Sequence, residues 1–236
     1  ITAMFAGDSG TGKTLAAEVI ANALGLDMYV IDLSTVVDKY VGETEKNLEK
    51  IFTEAEGVNG ILFFDEADAL FGKRSEVSDA RDRYANVEVA YLLQRMEQFD
   101  GLAVLASNLK GNIDDAFARR LSVVVDFPDP DEDHRRRLWA RLLGDAPLDA
   151  DADLDFLAAA FPITGGNIRN VAVTASYLAA ADGTAVNMHC LVRGVQIEYR
   201  KLGRLCTEKE FGPYFPLTQL VPGVNGAGLE PVLTKG

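Results

Sequence analysis

The sequence predicts an α/β fold, a parallel sheet with helices on both faces, followed by a small helical lid domain. Three observations carry that expectation. Apolar, β-leaning runs (ITAMFAG, DMYVIDLS, GILFFDEADAL, LAVLASN, SVVVDFP) alternate with stretches of helical periodicity, as strands joined by crossover helices do. The alternation stops at FPDPDED, and only helix-like stretches follow up to about Arg200. Beyond Leu205 glycine and proline dominate, which marks a tail or extended arm. These shifts divide the chain into an α/β domain (residues 1–128), a helical domain (129–204) and a C-terminal tail (205–236).

Taken in order, ITAMFAG opens as if in mid-strand, so residues upstream are expected. KTLAAEVIANALG has helical spacing and stops at Gly25, a residue suited to a left-handed helix end. DMYVIDLS reads as a short buried strand, and GETEKNLEKIFTEAEG as an amphipathic helix closed by Gly57. GILFFDEADAL is an apolar strand ending in acids, ANVEVAYLLQRMEQFDG a helix, and LAVLASN and SVVVDFP are strands. The helical domain is built from EDHRRRLWARLLG, ADLDFLAAAF, GNIRNVAVTASYLAAADG and NMHCLVRGVQIEYRKLG.

Composition narrows the function classes. The 236 residues carry a net charge of −13, which repels phosphate backbones and disfavours general nucleic-acid binding. The basic HRRR at His134 to Arg137 is flanked by DPDED and reads as a solvated helix start. The only cysteines, Cys190 and Cys206, form no CxxC or Cys/His cluster, so no zinc site and a reducing compartment are expected. No apolar run approaches a membrane span and no signal peptide is visible, so a cytoplasmic protein without a membrane partner is expected.

The chemistry is concentrated in two motifs. GDSGTGKT matches GxxxxGK[ST] in full, after a strand and at the start of a helix. Glycines Gly7, Gly10 and Gly12, with Asp8, Ser9 and Thr11 between them, allow backbone N–H groups to converge on an anion. The helix N-terminus, which continues into Leu15, adds partial positive charge. Lys13 can reach the outer phosphates of ATP, and the Thr14 hydroxyl can ligate Mg2+. This is the phosphate loop of a P-loop NTPase. The second motif, ILFFDEAD, ends a strand in Asp65 and Glu66. Asp65 is assigned to the magnesium shell, and Glu66 to orienting or deprotonating the attacking water. Asp68 reads as local structure.

Four further stretches resemble those of AAA+ ATPases of the protein-remodelling type, and the resemblance covers almost all of residues 1–200. Asn108, closing LASN, matches the polar sensor that touches the water or the γ-phosphate. IDDAFARRLSVVVDFPDPD is similar to the family's second homology region, in which Arg119 and Arg120 stand at arginine-finger positions. The adjacent pair leaves open which is the finger. DKYVGETEKNL is similar to a substrate-gripping pore loop, with Lys39, Tyr40, Val41 and Gly42 at its tip. TGGNIRN resembles a second sensor motif, in which Gly166 opens the helix and Arg169 approaches the phosphates. In relatives without that arginine, the glycines lie near the adenine instead. The resemblance implies a homo-oligomeric ring, a hexamer, that uses ATP and Mg2+ to unfold or loosen a polypeptide. VRGVQIEYRKLGRLCTEKEFGPY is further similar to the C-terminus of AAA ATPases of bacterial phage-tail-like contractile injection systems. That likeness implies injection-system components as partners, and the alternative role of a nucleotide-gated assembly factor or scaffold.

Overall fold

The computed structural model describes residues 1–37, 42–57, 59–71, 80–108 and 118–219. Two compact units emerge, one comprising Ile1–Pro130 with Ile163–Gly166, the other Asp131–Pro162 and the chain from Asn167 on.

The first unit is built on a five-stranded sheet of β1 (Thr2–Gly7), β2 (Asp27–Asp32), β3 (Gly60–Asp65), β4 (Leu102–Ser107) and β5 (Val123–Phe127), in the order β2-β3-β4-β1-β5. Every pairing is parallel. All carboxyl ends therefore lie along one edge, where Asp32 pairs with Asp65, Ala6 with Ser107 and Gly7 with Phe127. Ligands of open parallel sheets bind outside this edge.

The central strands read as continuous apolar runs because both faces are covered. On one face Met4, Leu62, Phe64, Ala103 and Leu105 pack with residues of α2 (Leu33–Val36), α3 (Glu43–Glu54), α4 (Asp68–Phe71) and α5 (Ala80–Gln98). On the other, Ala3, Phe5, Ile61, Phe63, Val104 and Ala106 pack against Ala17 and Ala21 of α1 (Lys13–Leu24). Gly25 closes α1 in the left-handed conformation, donating to the Ala21 and Asn22 carbonyls. Two expectations are corrected. β2 is an edge strand rather than a buried one, and Tyr29 and Val30 are exposed. Its apolar composition reflects only Met28 and Ile31, which pack inward on the two faces of the sheet. Helix α3 ends at Glu54, before the expected stop at Gly57.

The second unit contains α6 (Glu132–Leu142), α7 (Leu154–Ala160), most of α8 (Gly165–Asp182), α9 (Met188–Lys201), α10 (Glu208–Phe211) and a 3-10 helix (Gly212–Gln219). Asp131, Asp153 and Asn187 cap α6, α7 and α9, each accepting an N–H of the first turn. Trp139, Phe161, Tyr199 and Phe211 are fully buried. Phe161 packs tilted against Phe211 at 4.9 Å and edge-to-face against Tyr199 at 5.9 Å between ring centroids. The stretch expected to leave as a tail at residue 205 thus folds back as far as Gln219. The Gln196 amide donates to the Thr218 carbonyl at 2.9 Å, and Tyr214 packs on Phe156 at 4.9 Å. Its glycines and prolines hide aromatic anchors. The HRRR run is also less solvated than expected, because Arg135 is buried and its Nε donates to the Ala158 carbonyl at 2.8 Å. Arg136 pairs with Asp155. Among the described residues no helix is long and apolar enough to cross a membrane.

Candidate nucleotide site

The loop between β1 and α1 ends in Gly12, which caps α1 in a left-handed conformation with φ of 104°. Among the described residues no side chain caps this end. The N–H groups of the first turn, which have no intrahelical acceptor, suit an anion. The loop is braced from within, as the Thr11 hydroxyl donates to the Asp8 carbonyl at 2.8 Å. It is also braced by a segment far along the chain. Gly166 N–H donates to the Gly10 carbonyl at 2.9 Å. A side chain on Gly10 would meet Thr164 Oγ1 at 2.7 Å. Gly166 is thus brought to the loop through its backbone, whereas Arg169 is exposed on the part of α8 that belongs to the helical unit.

Lys13 is 7% exposed. Its Nζ donates to the carbonyls of Gly7 at 2.7 Å and Asp8 at 3.0 Å, and to Asn108 Oδ1 at 2.9 Å. Burial lowers its pKa, against the opposing charges of Asp65, Asp68, Glu66 and Asp8. Thr14 is half-buried beside it, while Ser9 and Leu15 are exposed.

The acidic motif lies at the same edge, at the end of β3. Asp65 Oδ1 accepts the Glu66 N–H at 2.9 Å, and Ala67 N–H donates to the Ala106 carbonyl of β4 at 3.0 Å. These two bonds turn the chain sharply between strands. Glu66 absorbs the turn with φ of 54°, the only non-glycine residue at positive φ among the described residues. Such a conformation is costly and persists where its surroundings enforce it. Glu66 is exposed. Partial desolvation, then the negative charges of Asp68, Asp65 and Asp32, raise its pKa, and Lys13 opposes them.

Asp68, read from the sequence as local structure, holds Asn108. It accepts the Asn108 backbone N–H at 2.9 Å, the Asn108 Nδ2–H at 3.2 Å and the Ser107 hydroxyl at 3.2 Å. Lys13, Asn108 and Asp68 are therefore joined by hydrogen bonds at this edge, where the charges of Asp65 and Glu66 also bear on Lys13. Sequence reasoning also missed Thr164 and Asp32. The only signal for Asp32 was its position at the end of an apolar strand.

Thr14 and Asp65 offer hard oxygen donors, and no group of three or more His, Cys, Asp or Glu side chains that could hold a metal is gathered among the described residues. That set fits Mg2+, which keeps waters and phosphate oxygens as ligands rather than an all-protein cage.

Arg119 and Arg120 are exposed and lie at the other end of the sheet. Thr2 Oγ1 donates to the Arg120 carbonyl at 3.1 Å, and Ser122 N–H to the Thr2 carbonyl at 2.9 Å. The pair is thereby fixed beside the amino end of β1, while the phosphate loop leaves its carboxyl end. Lys39, Tyr40 and Val41 lie outside the described residues. Gly42 follows them with φ of 83° as the N-cap of α3.

Residues 3–129 match the family described as ATPase family associated with various cellular activities (AAA). The chain is 32% identical over 218 residues to 26S proteasome subunit RPT4 of Saccharomyces cerevisiae, covering 83% of this chain and 49% of that protein. It is 33% identical over 156 residues to the cell division cycle protein 48 homolog of Archaeoglobus fulgidus, covering 64% of this chain and 21% of that protein. An uncharacterized AAA family ATPase, y4kL, of Sinorhizobium fredii is 35% identical over 128 residues, covering 54% of this chain and 39% of that protein. The chain thus spans about half or less of the length of these relatives. With a matched segment that takes in the phosphate loop, the acidic motif, Asn108 and the arginine pair, the chain belongs to the AAA family of ATPases.

Proposed function

We propose that this chain is the motor of a cytoplasmic, ATP-hydrolysing ring, hexameric in form, that remodels protein substrates. The observation that carries the reading is the cluster at the carboxyl edge of the sheet, where Lys13 bonds Asn108, Asn108 bonds Asp68, and the charges of Asp65 and Glu66 bear on Lys13. The loop from Gly7 to Thr14 binds the phosphates of ATP, and Lys13 turns from loop carbonyls to the outer phosphates. Thr14 and Asp65 would hold Mg2+, which would supply charge neutralisation at the phosphates. Glu66 takes the proton of the attacking water, and its raised pKa makes it a better proton acceptor than an ordinary carboxylate. Asn108 orients that water or the γ-phosphate. Gly166 braces the loop, and Arg169 is the candidate for a second contact with the phosphates.

The arginine pair supports a ring. The six residues of β1, at about 3.3 Å each, put roughly 17 Å between the two ends of the strand. Arg119 or Arg120 therefore serves the site of a neighbouring copy, in a head-to-tail contact that closes on itself. Relatives that include a 26S proteasome subunit support polypeptide rather than nucleic acid as the substrate, as does the charge of −13. Tyr40 and Val41, flanked by Lys39 and Gly42, grip that polypeptide.

The test is light-scattering mass and ATPase rate of the full chain carrying Lys13→Ala, Glu66→Gln or Tyr40→Ala. Glu66→Gln is expected to trap ATP in a stable ring, and Lys13→Ala to lose nucleotide binding. Tyr40→Ala should keep hydrolysis and lose remodelling. Parental hydrolysis by Glu66→Gln would overturn the assignment of the base. Biological activity that survives Tyr40→Ala would support the second role, a nucleotide-gated assembly factor for a large complex such as a contractile injection system.

A further inference from the structure

We infer that Asp68 is the positioning residue for Asn108, fixing which end of its amide faces Lys13 and hence which end is left for the reacting phosphate. The inference rests on the reading of Asn108 as the polar sensor.

An ionised carboxylate only accepts hydrogen bonds, and an ammonium only donates them. Asn108 lies between one of each. On one side both Asp68 oxygens are engaged, Oδ1 by the Asn108 backbone N–H at 2.9 Å and Oδ2 by Nδ2–H at 3.2 Å. On the other side Asn108 Oδ1 accepts from Lys13 Nζ at 2.9 Å. Turning the amide over would set its carbonyl against the carboxylate and its NH2 against the ammonium. The row Asp68–Asn108–Lys13 therefore has one polarity, and each bond strengthens the next.

The hold on Asn108 is two-point, through backbone and side chain together, so it fixes the position of the residue as well as the amide rotamer. The Ser107 hydroxyl, on a residue 1% exposed, donates to the same carboxylate at 3.2 Å and steadies it. Asp68 opens α4, three positions beyond Asp65, so the short turn after β3 delivers it to the end of β4. Neither Asp68 nor Lys13 uses the second Nδ2 hydrogen. That hydrogen is the donor with which Asn108 meets an anionic oxygen or the attacking water. Asp68 touches neither: its charge also bears on Glu66 and Lys13, but its hydrogen bonds reach the reacting groups through Asn108.

A double-mutant cycle on the full chain tests this. Asn108→Ala and Asp68→Ala are each expected to lower kcat roughly 10-fold or more, with ATP affinity within about threefold of the parent. The double variant should fall no more than about twofold below the weaker single one, because residues that act as a unit are not additive. Asp68→Asn keeps shape and the acceptor for the backbone N–H, but sets NH2 against NH2 and turns the Asn108 amide. It should lose kcat as Asp68→Ala does while its thermal midpoint stays near that of the parent. Losses that multiply in the double variant, or parental kcat in Asp68→Asn, would overturn the proposal. Parental kcat in Asn108→Ala would instead remove the sensor reading on which it rests.

Discussion

Gly10 and Gly12 both hold left-handed backbone, but replacing them has different consequences. At Gly12, with φ of 104°, an added Cβ meets nothing within 4 Å, so only backbone strain is introduced. At Gly10, with φ of 81°, the Cβ would lie 2.7 Å from Thr164 Oγ1 and 3.2 Å from Gly166 Cα. Gly12→Ala should therefore cost about 1 kcal/mol. Gly10→Ala should cost about 2–4 kcal/mol, because a clash is added and the Gly166 bond to its carbonyl is disturbed. Denaturant unfolding of both variants checks the difference. Equal losses would mean that the Thr164–Gly166 segment moves aside freely. The motif GxxxxGK[ST] made these glycines legible as a phosphate loop. It could not show Gly166 at Gly10, because that contact joins residues remote in sequence through backbone atoms, which carry no residue-type signal. The bonds from Asp68 to Asn108 were illegible for a related reason, since they depend on the adjacency of β3 and β4.

At the scale of elements, α8 and α9 are clamped by Glu198, which is 4% exposed. Its Oε1 accepts from Asn167 Nδ2 at 2.9 Å and Asn170 Nδ2 at 3.0 Å, and its Oε2 from Lys201 at 3.0 Å. Burial alone would raise the pKa of this carboxyl, but the amides of Asn170 and Asn167 and the Lys201 ammonium together hold it below its ordinary value. A depressed folded-state pKa stabilises the fold above the unfolded-state value and ceases to do so as pH falls through the folded value. Glu198→Gln keeps one oxygen for the two amides but loses the charge and sets its NH2 against the Lys201 ammonium, and should destabilise the helical unit by about 1–2 kcal/mol at neutral pH. The gap between variant and parent should narrow in acid, as the parent carboxylate is protonated. A gap unchanged into strong acid in urea titrations would show that shape, not charge, holds the two helices together. The helices themselves were legible from apolar spacing and caps. The element at 205–219 was not, because burial of Phe211 against Phe161 and Tyr199 overrides a local sequence that favours turns. β2 was misjudged as buried because composition does not reveal which strand lies at the sheet edge.

At the scale of the whole molecule, the proposed ring makes one arrangement unavoidable. If one of the arginines is the finger, its position at the end of β1 opposite the phosphate loop makes it serve a neighbour's site. The strand order and the bonds between Thr2, Arg120 and Ser122 fix that separation, which the sequence motifs alone left open. Hydrolysis should therefore be lost in Glu66→Gln rings and, by 10-fold or more, in rings of Arg119→Ala or Arg120→Ala, whichever removes the finger. Co-expression of the Glu66→Gln chain with the finger variant should restore part of the rate. A site works when its own chain keeps Glu66 and the neighbour keeps the arginine. In randomly mixed rings each condition holds half the time, so about a quarter of sites should be active. If the arginine served its own chain, no subunit in the mixture would carry both groups, and the mixed rings would stay as inactive as either parent. Comparing the ATPase rate of the mixed rings with the sum of the two separate rates thus distinguishes a shared site from a self-contained one. Running the mixture separately with Arg119→Ala and Arg120→Ala identifies which arginine crosses the interface.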